Sequence, residues 1–114
     1  NSRNKIYFKF LQNGFITEFI LKYKLIENKF NIFFGDRGTF IISKDLLTES
    51  INNFILNIKN NKEAELFHIS KNKFKTGFLY KNGFLNYYGE HDKMSIRITI
   101  FNVEMITQAF KNLI

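Results

Sequence analysis

The chain has 114 residues, with 17 Lys and Arg against 10 Asp and Glu for a net charge of +7, and no Cys, Pro or Trp. This length suits one domain spanning 1–114 around a single core, and the missing cysteines exclude a disulfide framework and a thiolate metal site. No apolar run approaches the ~20 residues of a membrane-spanning helix, and no signal sequence opens the chain.

The basic balance points to an acidic partner, either a protein surface or a nucleic acid. It also has a source unrelated to binding. Phe, Ile, Lys, Asn and Tyr supply 65 of the 114 residues, the usage that AT-rich codons produce. Arginine, the better reader of phosphates, occurs only three times. The chain begins at Asn1 rather than Met, so a trimmed, processed or excised chain is expected, with its true N-terminus left open.

Lys5 to Gln12 alternates, with Ile6, Phe8 and Phe10 on one side, the period of a half-buried strand. Asn13-Gly14 is a hairpin turn signal. Phe15 to Glu27 alternates again and places Phe15, Thr17, Phe19, Leu21, Tyr23 and Leu25 on the core side. Ile16, Ile20 and Ile26, with Phe33 from the next strand, then fall outside. A partner, a dimer or curling of the sheet would cover that apolar face, and curling is the simplest. Asn28-Lys29 turns the chain into Phe30–Phe34, and Gly35-Asp36-Arg37-Gly38 turns it into Thr39–Ile42.

A helix is expected over 43–62, since Leu47, Ile51, Phe54, Ile55 and Ile58 recur on one helical face. Ser43 stands at its N-cap, Asp45 in its first turn, and Lys59 and Lys62 near its C-terminus. Short strands follow at Glu65–Ile69 and Phe74–Tyr80, and Asn82-Gly83 returns the latter through Phe84–Tyr88. Gly89 to Lys93 is a polar turn, Met94 to Ile100 a clean strand, and Asn102 the expected N-cap of a helix over 102–113. Strands joined by tight turns imply an α+β fold, a mostly antiparallel twisted sheet with both helices packed on one face.

Candidates for chemistry are sparse. His68 lies between Phe67 and Ile69 with no acid spaced to orient it, and His91 lies in a polar turn. Separated strands could bring His68, His91, Lys93 and Arg97 together, but no spacing requires it. Two histidines and ten scattered acids present no metal-ligand spacing. No catalytic residue, metal or cofactor is therefore expected.

The second hairpin is more informative. A two-residue Asn82-Gly83 turn sets Tyr80 opposite Leu85 and Phe78 opposite Tyr87 on an apolar inner side. The other side presents Lys75, Lys81, Phe84, Asn86 and Tyr88, joined by Arg97 from the next strand. Cations interleaved with aromatics on an open sheet face make a binding surface, and these six residues are the expected partner contacts.

From about Phe30 onward the layout resembles small immunity proteins of contact-dependent and wall-associated bacterial toxin systems. The resemblance rests on five features in order. They are the strand into Phe40-Ile41-Ile42, the helix with Leu47, Ile51, Phe54, Ile55 and Ile58, the polar exit Lys59 to Ala64, the short strands from Glu65, and the closing helix from Asn102. It implies a cytoplasmic, non-enzymatic protein, monomeric or weakly dimeric, that binds one cognate toxin domain and covers its active site. A +7 member implies a toxin with an acidic patch, whereas many nuclease-neutralising members are themselves acidic. The alternative is a single-stranded nucleic-acid binding module, with Phe84 and Tyr88 stacking on bases and lysines following the phosphates. A third possibility is a small toxin domain cut from a larger protein.

Overall fold

A computed structural model describes residues 4–71, 74–91 and 93–113. The fold is α+β, with two antiparallel four-stranded sheets, a two-stranded ribbon and two helices. The first sheet is a meander of β1 (Asn4–Gln12), β2 (Phe15–Ile26), β3 (Lys29–Phe33) and β4 (Thr39–Ser43), in that order. Asn13 and Gly14 close its first hairpin at φ 53° and 81°. The next turn uses Glu27 and Asn28, at φ 49° and 65°, one residue earlier than expected. Left-handed backbone at both central positions matches the twist of the flanking strands.

Helix α1 spans Lys44–Lys59, and the Ser43 hydroxyl accepts from the Leu46 amide at 3.4 Å, as an N-cap should. Its buried stripe is Leu47, Ile51, Phe54 and Ile58. It ends three residues short of Lys62, because Asn61 at φ 55° turns the chain away. The second sheet combines β5 (Ala64–Leu66), β8 (Gly77–Lys81), β9 (Phe84–Tyr88) and β10 (Lys93–Arg97) in the order β10-β9-β8-β5. The ribbon pairs β6 (Ser70–Lys71) with β7 (Phe74–Lys75). The strand expected over Phe74–Tyr80 is thus broken at Thr76. Asp92, part of the expected polar turn, lies outside the described residues.

Helix α2 spans Ile100–Lys111 and corrects two expectations. The strand expected to run to Ile100 stops at Arg97, and Ile100 opens the helix fully exposed. The N-cap is Thr99, whose Oγ1 accepts from the Asn102 amide at 3.2 Å. Asn102 is instead buried and acts across the fold. Its Oδ1 accepts from the Leu11 amide at 2.9 Å, and its Nδ2 donates to the Leu11 and Arg97 carbonyls, both at 3.0 Å. One side-chain amide therefore satisfies backbone groups on the edge of each sheet. Gln12 Nε2 donates to the Ser95 carbonyl at 3.1 Å along the same seam.

The two inner sheet faces share one aromatic core. Phe19 stacks on Tyr87 at 4.0 Å between centroids, and Phe8 meets Phe78 edge-on at 5.2 Å. The helices contribute to the same cluster, with Phe54 at 6.0 Å from Phe78 and Phe110 at 5.2 Å from Phe8. Rings at such offset and edge geometries attract beyond their buried area. Among the described residues, no helix is long and apolar enough to cross a membrane.

Candidate binding surface

The β8–β9 hairpin has the register its turn dictates: Lys81 opposite Phe84, Tyr80 opposite Leu85, Leu79 opposite Asn86, Phe78 opposite Tyr87 and Gly77 opposite Tyr88. Phe78, Tyr80, Leu85 and Tyr87 are buried inward. The outer face then reads in three rows across the sheet. Lys81, Phe84 and Arg97 form one end, Leu79, Asn86 and Ser95 the middle, and Gly77, Tyr88 and Lys93 the other end.

At the first end, the Arg97 guanidinium carbon lies 5.2 Å from the Phe84 ring centroid, and Phe84 remains 38% exposed. A cation at this distance is attracted to the ring face. Lys81 Nζ lies 3.6 Å from Glu63 Oε1, so its charge is partly balanced. In the middle row, half-buried Asn86 donates from Nδ2 to the Leu79 carbonyl at 3.4 Å and serves the hairpin's own geometry.

The last row corrects the expected role of Tyr88. That ring is only 9% exposed, with Lys75 Nζ at 5.5 Å and Lys93 Nζ at 5.7 Å from its centroid. Ammoniums at these distances are attracted to the ring and help to cover it. Tyr88 therefore cannot offer its ring to a base or a partner, and contact there would run through the lysines. Lys93 was not among the expected contacts. The strand register places it opposite Tyr88, and that register could have revealed it.

The structure does not assemble His68, His91, Lys93 and Arg97 into one centre. Lys93 and Arg97 stand at opposite ends of β10, about 13 Å apart along a strand. His91 is exposed, with Nε2 3.4 Å from Glu90 Oε1. His68 lies beside Tyr88, its ring 6.1 Å from the tyrosine ring, and its Nδ1 lies 2.6 Å from the Thr76 carbonyl. Among the described residues, no group of three or more His, Asp and Glu could hold a metal ion.

Beside the Phe84–Arg97 pair lies an open groove of about 550 Å³ that sequence reasoning missed. The end of α1, the β8–β9 turn and the start of α2 enclose it, with Ile58, Tyr80, Ile98, Ile100 and Val103 as apolar lining and Lys59, Arg97 and Glu104 as charged lining. On its floor the Tyr80 hydroxyl donates to Asn61 Oδ1 at 2.6 Å. The volume falls in the range typical of ligand pockets. No single stretch carries its signal, because its walls come from segments about forty residues apart.

The first sheet does not curl over its outer face as expected. Tyr7, Ile16, Ile20, Ile26 and Ile41 remain exposed, and Phe33 is half-buried. The cross-strand pairs Tyr7–Ile20 and Leu11–Ile16 flank a Lys9–Glu18 pair at 3.8 Å. Its inner face is already committed to the aromatic core. Compared with models of protein families, with curated proteins and with solved structures, the chain matches none of them.

Proposed function

We propose that the chain is a non-enzymatic binding module of the immunity-protein type. It would dock on an acidic patch of one toxin domain through the Phe84–Arg97 end of the second sheet. The observation that supports this reading is the placement of Arg97, which lines a partly apolar groove, on an exposed Phe84. Arginine and aromatic anchors beside a pocket are the usual energetic centre of a protein interface. The groove suits an apolar partner side chain, and Arg97 suits a carboxylate next to it. Lys81 sits on the rim, where charge governs the rate of encounter more than affinity. A single-stranded nucleic-acid role has lost one of its two expected stacking rings, since Tyr88 is covered.

The test is a parallel recovery experiment from lysate of the source organism, with tagged wild type and Arg97→Glu, with and without nuclease. The reading expects one protein, recovered at near-equal amount by wild type, indifferent to nuclease and strongly depleted with the variant. Recovery dominated by nucleic acid and abolished by nuclease or moderate salt would overturn it in favour of the nucleic-acid module.

A further inference from the structure

At the far end of the same outer face, three basic side chains from three separate segments gather round one phenol ring. Lys75 Nζ lies 5.5 Å, Lys93 Nζ 5.7 Å and the His68 ring centroid 6.1 Å from the centre of Tyr88. Each is held there by the fold. Lys93 is fixed by pairing opposite Tyr88 in the β9–β10 ladder. The carbonyl of Lys75 accepts from Arg37 Nη1 at 3.0 Å, which brings a further cation alongside.

His68 is oriented by the Thr76 carbonyl at 2.6 Å. A carbonyl can only accept, so Nδ1 carries the proton and Nε2 is left without a protein partner among the described residues. Thr76 is itself buried, donating to the Phe67 carbonyl at 2.8 Å and accepting from the Ile69 amide at 3.1 Å. The histidine therefore stands on a rigid support.

Among the described residues, no carboxylate lies within ion-pair distance of Lys75 or Lys93, whereas Lys9 and Lys81 each have one. The ring attracts both ammoniums, and neither charge is balanced by a described carboxylate.

We infer that this cluster is an oxyanion site that takes a phosphate group, either inorganic phosphate or the phosphate of a monoester. Two ammoniums match a doubly charged tetrahedral ion better than a singly charged carboxylate. The imidazole adds a further directed contact. The buried ring offers no platform for a nucleobase, so charge and not stacking selects the ligand. This site is separate from the Phe84–Arg97 end and does not depend on the immunity reading.

The experiment is an NMR titration of the full chain with inorganic phosphate, at ionic strength held constant with chloride, following His68, Tyr88 and His91. A second arm uses glucose 6-phosphate as the monoester. Saturable shifts at His68 and Tyr88 with exposed His91 unmoved are expected. The Lys75→Met, Lys93→Met double variant keeps the covering stems. It should weaken binding roughly ten-fold or more, as loss of charge-assisted contacts requires. Arg97→Glu should leave phosphate binding unchanged while abolishing partner recovery, which separates the two proposals. Tighter binding in one arm identifies the source of the phosphate. A linear response shared by His91, or equal binding by a double variant with a native amide spectrum, would overturn the site.

Discussion

Thr76 and Gly77 show how two residues redirect a strand and build a site beside it. The alternating pattern from Phe74 to Tyr80 reads as one strand, but Thr76 is buried and spends its hydroxyl on the Phe67 carbonyl and the Ile69 amide. Gly77 adopts φ 73°, and a Cβ there would run into the Leu66 and Phe67 carbonyls. Those are backbone atoms and cannot swing aside. Thr76→Val keeps the shape but strands the buried Phe67 carbonyl and the part-buried Ile69 amide, so urea unfolding should show a loss of about 2 kcal/mol. The same variant should loosen His68, visible as altered imidazole signals. Gly77→Ala combines strained backbone with a steric clash, and its loss should be larger, about 3–4 kcal/mol, by the same measurement. A smaller loss for Gly77→Ala than for Thr76→Val would contradict this account of the bend.

At the level of elements, the join between sheets rests on Asn102, the first-turn residue of α2. Its three side-chain bonds reach Leu11, 91 positions away, and Arg97, five away. Asn102→Leu would leave those part-buried backbone groups unpaired around a buried side chain, at a cost of about 3 kcal/mol. The expected signature is local, with the Leu11 amide losing hydrogen-exchange protection while α1 amides keep theirs. Uniform loss across all elements would instead mean that Asn102 acts only through global stability. In the sequence, Asn102 looked like a helix cap because cap and buried tie use the same side-chain chemistry. Thr99, three residues earlier, takes the capping role through its own hydroxyl. Where no long-range competitor exists the local signal holds, as with Ser43 at the start of α1.

For the whole molecule, stability depends on a core in which aromatic rings from both sheets and both helices meet. Phe78 touches rings from all of these sources, including Phe8, Phe54, Tyr87 and Phe110 at 4.9–6.3 Å. Phe78→Ala should cost about 3–5 kcal/mol, a large share of a small domain's total, and thermal unfolding would register it as a marked fall in Tm. The surface is organised on the same scale. The outer face of the second sheet carries an arginine–aromatic pair and groove at one end and a lysine–histidine cluster at the other.

Most strands, the Asn13-Gly14 and Asn82-Gly83 turns, the first helix and the register of the β8–β9 hairpin were legible in the sequence alone. Each depends on alternation, helical spacing or turn chemistry among near neighbours. That register also placed Lys81 opposite Phe84, whereas Arg97 was expected from the next strand and only the β9–β10 pairing set it opposite Phe84. The tertiary structure decided the rest: two sheets instead of one, the open outer face of the first, the burial of Tyr88, the groove beside Ile100 and the approach of His68, Lys75 and Lys93 to Tyr88. These features require segments far apart in the chain to compete for the same space and the same hydrogen-bond partners. Such competition leaves no trace in local periodicity, because it is settled only when the core closes.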